Sequence, residues 1–90
     1  VIREVVRYTG RVQGVGFRAT AAATASGFAV TGWVRNERDG SVMLEAQGTA
    51  WDVERFLEAI GERLARFIRG ADRHGALVVS GERGFVVRKE

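Results

Sequence analysis

Residues 36–40, "NERDG", limit the folds open to this chain more than any other stretch. Asp39-Gly40 is a tight-turn dipeptide, and runs with strand character flank it on both sides. "FAVTGWVRN" (28–36) and "SVMLEAQG" (41–48) are therefore expected to be antiparallel neighbours joined by a hairpin. On each side of that hairpin a helix and a further strand are legible. Upstream, "VIREVVRYTGRV" alternates in part, with Val5, Val6, Tyr8 and Val12 favouring a first strand at about 3–12. "FRATAAATAS" is dominated by the best helix former and predicts a helix over 17–26, stopped by Gly27. Downstream, Thr49 is suited to cap a second helix, with Asp52 in its first turn. Val53, Phe56, Leu57, Ile60, Leu64 and Phe67 follow as one apolar stripe at helical spacing, and Gly70 is expected after the helix end. The tail, "HGALVVSGERGFVVRK", holds two β-rich runs separated by "GERG", a fourth strand and a short fifth.

The order βαββαβ predicts an α+β fold, a ferredoxin-like two-layer open sandwich. Its sheet is mainly antiparallel and both helices cover one face. Ninety residues supply a single two-layer core, so residues 1–90 are read as one domain. The chain has no cysteine, which removes disulfides and thiol chemistry. No apolar run approaches the roughly 20 residues that cross a bilayer, and no signal-like segment opens the chain. A cytoplasmic monomer is the resulting expectation. The net charge of +3 is carried almost wholly by arginine, Lys89 being the only lysine. These arginines alternate with acids, as in "EAIGERLARFIRGADR", which is the pattern of a solvated helix face.

The connection between the first strand and the first helix, "GRVQGVGFR" (10–18), is unusual in another way. It concentrates glycine ahead of Arg18 and contains no nucleophile, histidine or carboxylate. The first N–H groups of a helix lack intrahelical partners, and the helix dipole makes that end positive. Gly14 and Gly16 let successive N–H groups turn toward one centre, and Arg18 adds a fork suited to phosphate. Three readings compete: a tight strand-to-helix turn with Arg18 solvated, a dinucleotide fingerprint, and a cradle for a tetrahedral oxyanion. Gly14 to Ala19 formally matches G-x-G-x-x-A, but the hairpin after the second strand replaces the parallel βαβ units that fingerprint needs. The Walker pattern also fails, because no Gly-Lys-Ser/Thr follows. A turn and a small-anion cradle both remain. Asn36 ends the second strand, and in this topology strands one and two run the same way with strand three between them. Asn36 and the loop then share one rim. Its amide can orient water or contact a ligand but cannot act as a base; the competing role is turn initiation.

"GRVQGVGFR" followed by "GWVRNERDGSVMLEAQG", with the second helix and the final "GFVVRK", resembles the acylphosphatases over essentially the whole chain. That resemblance implies hydrolysis of the carboxyl–phosphate bond of acyl phosphates to carboxylate and inorganic phosphate. It implies Arg18 on the substrate phosphate, Asn36 on the attacking water, and the amides of Gln13, Gly14, Val15, Gly16, Phe17 and Arg18 around the phosphoryl oxygens. No metal and no cofactor are implied, and phosphate should be both product and inhibitor. The chain departs from the family in "GFAVTGWV" and in its alanine-rich first helix, changes that bear on packing more than on the rim. The alternative reading is an acylphosphatase-like domain of a larger protein, non-catalytic or handling carbamoyl phosphate, such as a hydrogenase-maturation carbamoyltransferase. An RNA-binding module of the same fold is disfavoured because "SVMLEAQG" carries no aromatic residue to stack a base. No nucleic-acid or membrane partner is expected.

The remaining polar and aromatic residues have ordinary roles available. Glu37 and Asp39 would repel phosphate and suit the turn. His74 is expected away from the chemistry, near the start of the fourth strand. Thr20 is within one helical turn of the loop. Trp33 and Trp51 are expected in the core or covering a helix.

Overall fold

The computed structural model describes residues 1–89. Their elements are β1 (Ile2–Gly10), α1 (Phe17–Ala25), β2 (Thr31–Asn36), β3 (Val42–Gly48), α2 (Ala50–Arg63), β4 (Ile68–Ala76) and β5 (Phe85–Arg88). The strands form one sheet in the order β4-β1-β3-β2-β5. β3 pairs antiparallel with β1 and with β2, β4 pairs antiparallel with β1, and β5 runs parallel to β2. This is the expected ferredoxin-like sandwich, with the fifth strand present.

Alternation along the strands divides the sheet into two faces. Val6, Tyr8, Val34, Val42, Leu44 and Ala46 are buried against the helices. The alanine-rich α1 presents Phe17, Ala21 and Ala25 to that core, and its small side chains let it lie close to the sheet. α2 contributes Val53, Phe56 and Ile60. Thr49 caps α2 as its sequence suggests, its hydroxyl accepting from the Asp52 N–H at 3.1 Å. Phe56 joins distant parts of the chain, its ring lying 6.0 Å from that of Phe28 and 5.3 Å from that of Phe85. The helices are also tied together by a polar contact. The buried Thr24 hydroxyl donates to the Thr20 carbonyl at 2.7 Å and accepts from the Arg63 guanidinium at 2.9 Å.

Several boundaries differ from expectation. β1 ends at Gly10, after a register shift at Thr9/Gly10, and the Arg11 N–H leaves the β1–β4 ladder to donate to the Phe67 carbonyl at 2.9 Å. β2 starts at Thr31, because Gly27 and Phe28 wind off the end of α1 through N–H bonds to the Thr24 and Ala25 carbonyls. α2 stops at Arg63 with Leu64 as its C-cap, so Gly70 does not follow the helix but lies within β4, paired with Thr9. Phe67 belongs to the turn between them and packs against the edge of the core. β4 itself lies earlier than its sequence suggested. "IRGADRHGA" has little strand propensity, and backbone pairing with the rigid β1 overrides that local weakness. The more β-like Leu77, Val78 and Val79 are exposed instead. His74 falls well inside β4, opposite Val5.

Residues 77–84 cross the sheet face that the helices leave open, and a buried arginine fixes their path. Arg3, 3% exposed, donates to Glu45 at 2.6 Å, to Gln47 at 3.1 Å and to both carboxylate oxygens of Glu82 at 2.8 and 3.1 Å. Glu82 also accepts from Thr31 at 2.7 Å, and Gln47 bonds both the N–H and the carbonyl of Val79. Gly32 lets the crossing chain close onto β2, its N–H donating to the Gly84 carbonyl at 3.0 Å. Its φ of +148° is unfavourable for other residues, and an added Cβ would collide with the Glu45 carbonyl. Trp33 is buried on this open face and not in the helix-side core, with the guanidinium groups of Arg35 and Arg88 each 4.8 Å from its ring centre. Trp51 covers nothing: it is exposed in the first turn of α2, with Arg55 over its ring.

The Arg3 guanidinium holds the Glu82 carboxyl below the ordinary glutamate range, against a smaller opposing effect of burial. A depressed folded-state pKa stabilises fully above the unfolded value of about 4.3, and that contribution is lost as pH falls through the folded value. Glu82→Gln should therefore cost about 1–3 kcal/mol at neutral pH. In urea melts the gap to wild type should shrink steadily as the pH is lowered toward about 2. A gap independent of pH contradicts this role for the pair.

Candidate active site

β1 and β2 both pair antiparallel with β3, so they run in the same direction and their C-terminal ends share one rim. The loop between β1 and α1 opens on that rim. Gly14 and Gly16 both adopt left-handed angles, φ +76° and +78°. A Cβ added at either would meet no protein atom within 4 Å, so what the loop needs from glycine is the backbone angle. Gly16 is the N-cap of α1 and offers no side-chain acceptor to the first helical N–H groups. Among the described residues, no protein acceptor takes the N–H groups of residues 13–18. The result is a run of free donors at the positive end of a helix dipole.

Gln13 ties this loop to the β2–β3 hairpin. Its side-chain amide donates to the Glu37 carbonyl at 2.7 Å and to the Ser41 carbonyl at 2.9 Å. The hairpin is in turn held by its own acids. Asp39 accepts from the N–H and the hydroxyl of Ser41 at 3.0 and 2.6 Å, and Glu37 pairs with Arg35 at 2.7 Å. Both carboxylates thus have turn roles.

One recess of about 350 Å³ gathers Gly14, Gly16, Phe17, Arg18, Ala19, Asn36, Val87 and Lys89. Arg18 and Asn36, far apart in sequence, face the same space. Among the described residues Arg18 forms no ion pair, in contrast to Arg3, Arg7, Arg35, Arg55 and Arg73. Gln13 and Val15 do not line the recess: the first is turned to the hairpin, and the second packs against the core. Thr20 also lies outside it, its carbonyl occupied by Thr24. His74 is exposed on β4, the opposite edge strand from β5. The sequence reading missed Ala19, Val87 and Lys89. The only lysine of the chain was a visible signal, but its place depends on β5 lying parallel to β2.

A larger cleft of about 530 Å³ lies between α2 and β4, lined in part by Tyr8, Leu57, Gly61, Ile68 and Arg73. It is poorly suited to an anion. Arg73 is already bonded to Glu4 and Glu54, Glu58 adds negative charge, and burial pushes the Tyr8 phenol up so that it stays neutral. The recess at the rim has the opposite character: among the described residues it brings together an arginine without an ion pair, free amides and no carboxylate.

The family model for acylphosphatase matches residues 4–71. The chain is 54% identical to an acylphosphatase of Salinibacter ruber over 66 residues, which are 71% of this chain and 70% of that protein. It is 42% identical to an acylphosphatase of Bifidobacterium longum over 91 aligned residues, 99% of this chain and 94% of that one. The crystal structure of acylphosphatase from Bacillus subtilis superposes with a TM-score of 0.86 at 26% identity, covering 98% of this chain and 99% of that chain.

Gln13→Met should free the loop from the hairpin without substituting any residue that lines the recess. Loss of two hydrogen bonds should cost about 1–2 kcal/mol of stability. Backbone ¹⁵N order parameters of residues 13–17 should fall while those of β3 stay unchanged. An equal fall throughout the chain would show that Gln13 supports the whole fold and not this loop.

Proposed function

The chain belongs to the acylphosphatase family, hydrolases that act on the carboxyl–phosphate anhydride bond of small acyl phosphates, and we propose how its own residues perform that reaction. The phosphoryl group is held at the β1–α1 loop. The N–H groups of residues 13–18 supply donors to its oxygens, and the Arg18 fork takes two of them bidentately. Asn36, on the neighbouring strand end, orients a water molecule against phosphorus. The water oxygen bonds to phosphorus as the phosphorus–acyl oxygen bond breaks, and the bonding pair leaves with the carboxylate. A phosphoryl oxygen receives the proton that the water gives up. A carboxylate is a good leaving group, so the site needs no strong acid. Phosphoryl transfer through a loose transition state depends on positioning and on holding charge, which amides and an arginine supply.

The observation that carries this reading is the convergence of Arg18, Asn36 and the two left-handed glycines on one recess that, among the described residues, has no carboxylate in its wall. An acidic group there would repel the phosphate. The residues 1–90 are read as one domain of this kind, acting in the cytoplasm as a monomer. Inorganic phosphate is its product and a competitive inhibitor, and neither nucleic acid nor a membrane is a partner.

Phosphate release from benzoyl phosphate in the presence of EDTA tests the assignment. Arg18→Ala should lower kcat/KM about 10²–10³-fold, and Arg18→Lys should restore only part of it, because an ammonium lacks the planar fork. Asn36→Ala should lower kcat by a similar factor with little change in KM, since its contact is with water and not with the ground-state substrate. Near-wild-type turnover by either alanine variant, in a folded protein, would remove that residue from the mechanism.

A further inference from the structure

We propose that Lys89 makes this recess favour acyl phosphates whose acyl group carries a second negative charge, remote from the reacting carbonyl. The inference rests on the reading of the recess as the acyl phosphate site.

The position of Lys89 follows from the pairing of β5 with β2. Val34 pairs with Val87 and Arg35 with Arg88, in parallel register. Lys89 is the residue that follows this last pair, as Asn36 follows Arg35, and both line the recess. Alternation separates the two cations at the end of the strand. Arg88 goes to the open face, where its guanidinium lies over Trp33. Val87 lines the recess, and Lys89, two residues on from it, lines the same recess.

The wall can be divided by what each residue is able to hold. Gly14, Gly16, Phe17 and Arg18 belong to the loop and helix start that offer N–H groups and a guanidinium to the phosphoryl oxygens. Asn36 is engaged by water. Of the described lining residues Ala19, Val87 and Lys89 remain, and the acyl group is assigned to these three. Ala19 and Val87 provide a small apolar surface. Lys89 provides a cation, exposed, and without a carboxylate partner among the described residues. Its ammonium is a point charge on a flexible stem, so it can meet anionic groups at a range of distances from the carbonyl. A site for uncharged acyl groups gains nothing from that charge. A carboxylate or phosphate on the acyl chain gains a partner.

The test compares benzoyl phosphate with 3-carboxybenzoyl and 4-carboxybenzoyl phosphate. These share one ring and differ by a charge held too rigidly to attack its own carbonyl. With rates corrected for spontaneous hydrolysis, the ratio of kcat/KM for charged over uncharged substrate should fall about two- to fivefold in Lys89→Gln, the size of an exposed ion pair. The fall should come through KM. Lys89→Arg should keep the wild-type ratio, and added salt should bring the wild-type ratio down toward that of Lys89→Gln. A ratio unchanged in Lys89→Gln overturns the proposal. So does an equal loss on all three substrates, which would make Lys89 a ligand of the phosphoryl group. Failure of the wild-type protein to hydrolyse any of the three would instead overturn the proposed function on which this inference stands.

Discussion

The recess exists because β3 is the shared partner of β1 and β2. Two antiparallel pairings on one strand force β1 and β2 to run the same way, which brings the loop after β1 and the tip of β2 to a common rim. That constraint is enforced by burial. Val42, Leu44 and Ala46 are inaccessible on the helix side, and slipping β3 by one residue would expose all three while burying Met43, Glu45 and Gln47. The side chain of Gln13 then fastens the loop to the hairpin, so that the positions of Arg18 and Asn36 are not left to a free loop. The crossing segment after β4 completes the rim. Arg3 clamps it through Glu82, and β5 is thereby delivered beside β2 with Lys89 at its end.

The proposed reaction needs no protein nucleophile. The chemistry asks for a place where three phosphoryl oxygens meet fixed donors and where water is held on line. Backbone N–H groups at a helix start, made available by two left-handed glycines, are fixed donors that lose little on binding. Arg18, without an ion pair among the described residues, adds charge that the fold itself does not neutralise. The contrast with the cleft beside α2 makes the point. It is larger, yet its arginine is neutralised by Glu4 and Glu54, and Glu58 adds further negative charge to its wall.

Much of this was legible in the sequence, for reasons that are local. Asp39-Gly40 encodes the hairpin, the alanines and Thr49 mark the helices, and "QGVGFR" carries the glycines that the loop angles require. The misplaced elements are those whose state is decided by partners far along the chain. β4 is strand because β1 offers it an open edge, although its own residues favour nothing of the kind, and the apolar Leu77–Val79 run is exposed in the crossing segment. Trp33, expected in the core or over a helix, is buried as expected, but period-two alternation from Val34 puts it on the open face of the sheet. Lys89 went unassigned because no short-range pattern says that a terminal strand will add in parallel beside β2.

The central claim is that free amides of the β1–α1 loop, with Arg18, form the phosphate site. Titration of ¹⁵N-labelled protein with inorganic phosphate tests it most directly, since each amide reports separately. The account predicts saturable shifts centred on the N–H groups of Gly14, Val15, Gly16, Phe17 and Arg18, with the Asn36 side-chain amide among the perturbed signals. Shifts centred instead on the cleft between α2 and β4, or none at saturating phosphate, would contradict it.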